Sequence, residues 1–204
     1  MDQTQFSPQL LARQVVLVNE QDEETGQTGL IEAHRGKGLL HRASSVFLFR
    51  QNKGKLELLL QQRSSEKILA AGLWANTACG NVSPGEDYRQ CITRRLAEEL
   101  GIAGVTLTEL TKYRYEVDCG NGFSENEMDQ IFVGWFDGPV TPNLEEVVQA
   151  KWVDWQDFLA FMQGETNAIN LDEKSILKIT DFAPWVNLII NEPGALKPLE
   201  RFIQ

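Results

Sequence analysis

Two adjacent carboxylates, Glu98 and Glu99, close the segment 74–102, WANTACGNVSPGEDYRQCITRRLAEELGI. Carboxylate oxygens suit Mg²⁺, a hard cation that bridges to phosphate oxygens, so a phosphate-bearing ligand is one use for the pair. Arg94 and Arg95 stand one turn earlier, at the i,i+4 spacing that lets each meet a glutamate. Spacing alone therefore favours a solvated helix carrying surface ion pairs. Cys91 falls at an apolar helical position and reads as a small buried hydrophobe. Cys79, in the loop just before Gly80, has no such role and is the cysteine that could react. Farther on, Glu125-Asn126-Glu127 would send both carboxylates to one face if extended, and would be an ordinary polar turn if not.

The elements that must hold these groups follow from pattern. Tyr88, Cys91, Ile92, Leu96 and Leu100 recur at helical spacing; the helix is expected to start within 83–87, where Pro84 suits a first turn, and to stop at Gly101. Upstream, 15–18 is a strand-like run, 20–27 an acidic turn segment, and SSVFLFRQNKGKLELLLQQR a β-hairpin about Asn52-Lys53-Gly54. Downstream, strands are expected over 106–117 and 128–136, joined by the segment DCGNGFSENE. A short strand at 150–153 and helices at 155–162, 180–190 and 196–202 follow. A mixed sheet with helices on its two sides is an α+β layered architecture.

At 204 residues with 42% hydrophobic and 24% charged residues, the chain reads as one domain. Its parts are a lead-in (1–13), a core (14–190) and a tail helix (191–204). A formal net charge of -10 without a basic stripe argues against a nucleic-acid partner. The first residues lack the charge and apolar run of a secretory signal, and no apolar run approaches the ~20 residues of a membrane span. No membrane partner and a cytoplasmic location are the expectation. Three cysteines without paired spacing indicate neither a disulfide framework nor a zinc ribbon.

The segment 74–102 resembles the Nudix box, which runs glycine, five residues, glutamate, seven residues, Arg-Glu, apolar, any, Glu-Glu, any, glycine, apolar. Gly80, Glu86, Arg94, Leu96, Glu98, Glu99, Gly101 and Ile102 match, while Arg95 replaces the first glutamate. The resemblance implies the Nudix fold, a mixed β-sheet flanked by helices, with a diphosphate as the ligand. Asn76-Thr77-Ala78-Cys79-Gly80 further resembles the Asn-Ser-Val-Cys-Gly of type I isopentenyl diphosphate isomerases, which are built on that fold; ordinary Nudix hydrolases usually carry glycine where Cys79 stands. His34 and His41, the only histidines of the chain, lie seven residues apart as the isomerase histidines do. Glu125-Asn126-Glu127, with Tyr115 upstream, is similar to a further isomerase motif. The resemblance departs at Asn81, where the isomerases have a third histidine. It departs again in Gly29-Leu30-Ile31-Glu32, which lacks the usual lysine.

Carried over residue by residue, the resemblance implies that Cys79 and Glu127 move protons on opposite sides of the substrate, with Tyr115 supporting Glu127 and the face of Trp185 stabilising a carbocation. Trp185 could equally be a core residue. Arg63, Lys67 and Arg95 would bind the diphosphate, and Mg²⁺ on Glu99 would accompany it. His34, His41, Glu125, Glu127 and Asn81 would hold a second divalent metal, Mn²⁺, Mg²⁺ or Zn²⁺. The implied activity is interconversion of isopentenyl and dimethylallyl diphosphate, with the C-terminal helix of Trp185 as a candidate lid. Two alternatives stay open: a Nudix hydrolase of a nucleoside or prenyl diphosphate using Glu98 and Glu99, and a non-catalytic diphosphate-binding module.

Overall fold

The computed structural model describes residues 6–172 and 175–204. Its centre is β3 (His41–Asn52), whose residues from Ala43 to Phe49 are all buried, as a strand needs to be when both its edges and both its faces are covered. β4 (Lys55–Arg63) returns from it through a turn in which Lys53 (φ 50°) and Gly54 (φ 81°) are both left-handed, the type I′ geometry that suits strand twist. On its other side β3 runs parallel to β8 (Phe123–Trp135), His41 opposite Glu127. The short β6 (Ala78–Asn81) pairs antiparallel with β3, Ser45 opposite Cys79. β9 (Val147–Asp154) and β5 (Trp74–Ala75) flank β4, and β7 (Leu107–Gly120) pairs with β8. β1 (Gln14–Val18) and β2 (Glu24–Gly29) complete a nine-stranded mixed sheet.

Three differences from the expected elements have physical causes. The acidic stretch before Gln27 is partly strand, because β2 is an edge strand with no buried residue and tolerates a polar composition. The segment expected to connect two strands contains only a tight turn, Asn121 (φ 56°) and Gly122 (φ 78°), so β8 starts at Phe123 and the glutamates lie in a strand. A two-stranded hairpin, β10 (Ile169–Asp172) with β11 (Ser175–Leu177), had no sequence signal.

The helices cover both faces. α3 (Tyr88–Leu100) begins at a capping box: Asp87 accepts from the Gln90 amide at 2.7 Å, and the Gln90 side chain accepts from the Asp87 amide at 2.8 Å. Gly101 (φ 65°) ends it. Its Ile92, Leu96 and Leu100 pack on Val46, Leu48, Leu59 and Phe132. On the opposite face α4 (Trp155–Met162), α5 (Pro184–Asn191) and α6 (Pro193–Ile203) pack on Phe47, Phe49, Ile131 and Val133. α5 starts later than expected because Pro184 takes its first turn. Two short helices, α1 (Pro8–Leu11) and α2 (Leu30–His34), flank β1 and β2. Among the described residues no helix is long and apolar enough to cross a membrane.

Candidate active site

Strand alternation places Glu125 and Glu127 on one face of β8, and the parallel register brings His41 beside Glu127. α2 adds His34. The four side chains are buried, and one ligand atom from each lies within 4.8 Å of the others. Each histidine is oriented through its inner nitrogen: His34 Nδ1 donates to the Leu30 carbonyl and His41 Nδ1 to the Leu39 carbonyl, both at 2.7 Å. That leaves both Nε2 atoms turned to the carboxylates, with His34 Nε2 3.0 Å from Glu125 Oε2 and His41 Nε2 3.5 Å from Glu127 Oε1. Two lone-pair atoms at 3.0 Å require a positive charge. In the metal-free protein a proton supplies it: burial opposes the charge, but Glu125 prevails and raises His34 to about 9. Apart from His34, Glu125 Oε2 has no hydrogen-bond partner among the described residues. Imidazole and carboxylate in one buried cluster are a fitting donor set for a divalent metal.

Asn81, from β6, completes the rim. Its Nδ2 donates to His41 Nε2 at 3.0 Å and to Glu127 Oε1 at 3.1 Å. The residue is thus where the resemblance puts a ligand, but it presents its amide nitrogen; only a half-turn of the amide would offer a metal the oxygen.

Tyr115, opposite Glu127 in the β7–β8 ladder, donates its hydroxyl to Glu127 Oε2. Burial, then the Glu125 charge, push the Glu127 carboxyl up, while His34 keeps that of Glu125 low against its burial. Cys79 lies on β6, two strands from β8 with β3 between them, and is opposite Ser45 where Glu127 is opposite His41, so the two groups are about 10 Å apart across the strands and offset by four residues of β3 along them. Burial pushes its thiol up to about 12 despite the nearby Arg63. Arg63 Nη1 approaches the Cys79 sulfur at 3.6 Å, and Arg63 is held by the Leu69 carbonyl at 3.0 Å and by the Trp185 ring, 5.0 Å away. Among the described residues Arg63 has no carboxylate partner, although it is only 8% exposed. Trp185 is buried and donates to Asn76 Oδ1 at 3.2 Å. It is a core residue whose ring also meets Arg63, and α5 is packed in place: the backbone of Ala183, just before it, donates to the Trp74 carbonyl at 2.8 Å. That anchoring does not suit a lid.

Beside Cys79, a ring of charge joins the box helix to two loops. Lys67 bonds Glu99 Oε1 at 2.9 Å and also Glu146 Oε2. Arg95 bonds the same Glu99 oxygen, and Glu146 Oε2 at 2.8 Å. Gln61 caps the other Glu99 oxygen at 3.0 Å. Glu99 is fully buried, and Lys67 and Arg95 keep its carboxyl low against that burial. These are not surface ion pairs. Glu98, by contrast, keeps 44% of its side chain exposed and bonds Arg94 and Arg95 on the helix flank. Gly80 makes the ring possible: a Cβ there would lie 2.6 Å from Arg95 Cγ, so only glycine lets the guanidinium cross β6.

Sequence reasoning missed Glu146, whose connection between strands carries no motif. It also missed Asp129, which is fully buried with both carboxyl oxygens unbonded, and whose carboxyl burial and Glu127 push far up. Continuing the Glu125, Glu127 alternation by one step would have found Asp129.

Comparison with known proteins bears on the fold and the family. The NUDIX domain family matches residues 39–173. The isopentenyl-diphosphate Delta-isomerase of Saccharopolyspora erythraea is 38% identical over 173 residues, covering 84% of this chain and 81% of the relative. Isopentenyl-diphosphate Delta-isomerase 1 of Aromatoleum aromaticum is 42% identical over 154 residues, 76% of this chain and 82% of the relative. Among solved structures, a Deinococcus radiodurans protein superposes with a TM-score of 0.59 at 21% identity, covering 74% of this chain and 89% of its own, and so shares the fold. With the Nudix architecture, the cysteine strand and the buried His/Glu cluster on one chain, the protein belongs to the Nudix superfamily and, within it, to the type I isopentenyl-diphosphate Delta-isomerases.

Proposed function

We propose that this chain interconverts isopentenyl and dimethylallyl diphosphate, with Cys79 and Glu127 as its two proton-transfer groups. The observation that carries the assignment is their placement: a thiol and a carboxyl group on the same face of the sheet, with one strand between them. Moving a double bond by one position requires a proton added at one carbon and another removed two carbons away. Two groups across a five-carbon chain meet that need: one gives a proton and the other takes one, the reverse reaction returns each to its starting state, and a proton passed back between them through solvent readies the pair for another forward turnover. Protonation of an alkene gives a tertiary carbocation, so the site must present carbon with few nucleophiles. The ring of Trp185 and the apolar layer beneath Cys79 serve that exclusion.

Tyr115 fixes the Glu127 carboxyl by hydrogen bonding to one of its oxygens. His34, His41, Glu125 and Glu127 would hold a divalent metal, Mn²⁺, Mg²⁺ or Zn²⁺, that orients Glu127 and tunes its proton affinity. Arg63, Lys67 and Arg95 would bind the diphosphate, Arg63 being the cation without a carboxylate partner and the other two exchanging Glu146 for phosphate oxygens. Glu99 would meet the Mg²⁺ that accompanies the diphosphate, once Lys67 and Arg95 have turned to phosphate.

Hydrolysis by Glu98 and Glu99 is the second reading; the two glutamates point to different environments, one exposed and one buried, which disfavours a shared metal. Incubating the protein with isopentenyl diphosphate and a divalent metal, then following dimethylallyl diphosphate and free phosphate, separates the readings. Isomer without phosphate is expected. Phosphate release alone would refute isomerisation, and binding with neither product would leave only a sensing module.

A further inference from the structure

Beyond Arg63, a second cation at the diphosphate end lacks a carboxylate partner. Arg13 lies between α1 and β1, half-buried, and among the described residues its side chain has no hydrogen bond or ion pair. Its backbone is fixed: its carbonyl accepts from the Leu30 amide at 2.9 Å, and its amide donates to the Leu10 carbonyl at 3.2 Å. Leu10 packs in one cluster with Leu30, Ala33 and Ile68, and Ile68 follows Lys67. The segment that carries Arg13 is thus docked on the loop that carries the lysine of the charge ring. The charges that act on its guanidinium are those of Arg95, Glu146, Arg94 and Glu98, all members of the ring or of the box helix. Burial first, and then Arg95, lower its pKa, while Glu146 and Glu98 act against them.

We propose that Arg13 is a further diphosphate-binding residue, its guanidinium taking phosphate oxygens from the N-terminal side while Lys67 and Arg95 take them from the loop and α3. A planar fork of donors left unpaired beside two shared cations matches a polyanion with several oxygens to satisfy. It also gives the segment before β1 a function in a chain whose Gly29–Glu32 stretch carries no lysine. The inference rests on the diphosphate reading above.

The test is calorimetric titration of inorganic diphosphate with Mg²⁺ into the full chain and into Arg13→Gln and Arg13→Lys, beside isomerisation kinetics. Arg13→Gln is expected to weaken diphosphate binding about 10- to 100-fold, the range for one lost charge-assisted bond. KM should rise by the same factor with kcat unchanged, and Arg13→Lys should recover part of it. Unaltered diphosphate binding by Arg13→Gln overturns the proposal, as does a fall in kcat and unfolding midpoint with no change in binding. Should Arg13→Gln not fold, the Nε–H resonance of Arg13, assigned with Arg13→Lys, must shift as diphosphate is added to the unaltered chain; a stationary resonance is equally decisive against it. Diphosphate binding decides on Arg13 even if the chain turns over no isopentenyl diphosphate, so a failure of the activity and a failure of this inference are told apart.

Discussion

Glu146→Gln keeps the shape of a ring member, removes its charge and touches neither proton-transfer group. Burial works against the Glu146 carboxylate, yet Lys67 and Arg95 bring its pKa down to about 2 from the 4.5 of a free glutamate. That difference is worth about 3 kcal/mol of folding free energy at neutral pH, trimmed to about 2–3 kcal/mol because part of the side chain meets solvent. A carboxyl depressed on folding stabilises above its unfolded pKa, and the contribution fades as pH falls from 4.5 toward 2. Glu146→Gln is therefore expected to lower the unfolding midpoint at pH 7 by about 5–10 °C, at roughly 2–4 °C per kcal/mol for a chain of this size. Near pH 3 the gap between the two proteins should shrink to less than about half its neutral value. With its second carboxylate gone, the ring leaves Lys67 and Arg95 freer for phosphate, so KM for isopentenyl diphosphate should fall at low salt. Scanning calorimetry at the two pH values decides the matter. A gap that is absent at pH 7, or equal at both pH values, refutes the ring as an electrostatic unit.

Three further outcomes follow from the site. Cys79→Ala should lower isomerisation by a factor of about 100 or more, the usual yield of a positioned acid or base, while calorimetric binding of inorganic diphosphate persists; retained turnover removes Cys79 from the chemistry. Because His34 is protonated up to about pH 9 in the metal-free protein, binding of a divalent metal displaces a proton, and affinity should rise about tenfold per pH unit between pH 6.5 and 9. A flat profile in a chelator competition assay would contradict that assignment of His34. Gly80→Ala drives a methyl into Arg95 Cγ, 2.6 Å away, and should cost about 1–3 kcal/mol of stability and raise KM more than it lowers kcat; an unchanged denaturation curve would mean that Arg95 has another route to the ring.

What could be read from the sequence was local. The box helix, its Gly101 stop and the turn at Lys53-Gly54 are set by periodicity and by left-handed backbone positions, which adjacent residues encode by themselves. The start of β8 was hidden because Ser124 to Glu127 are polar, and polarity was read as a connection. Their burial comes from α2 and the β7–β8 pairing, which no local pattern contains, although Asn121-Gly122 was the kind of turn pair that marks a hairpin. Glu146 and Arg13 reach the site through topology alone, 51 residues beyond Arg95 in one case and before the first strand in the other.

Arg95 shows how the two levels join. As a motif it is a misfit, an arginine where the box has a glutamate, and charge pattern predicts for it only a pairing along the helix. In the fold it crosses over Gly80, where a side chain would block it, and reaches a buried glutamate of its own helix and an acidic residue from a distant loop. A glutamate at this position would set a third carboxylate against Glu99 and Glu146, leaving Lys67 as the one cation bonded to both. Uncompensated buried carboxylates cost several kcal/mol, so in this chain Arg95 compensates Glu99 and Glu146 before any substrate is considered. The same guanidinium is then in place for phosphate, which needs only to offer Arg95 and Lys67 better-matched oxygens than Glu146 does.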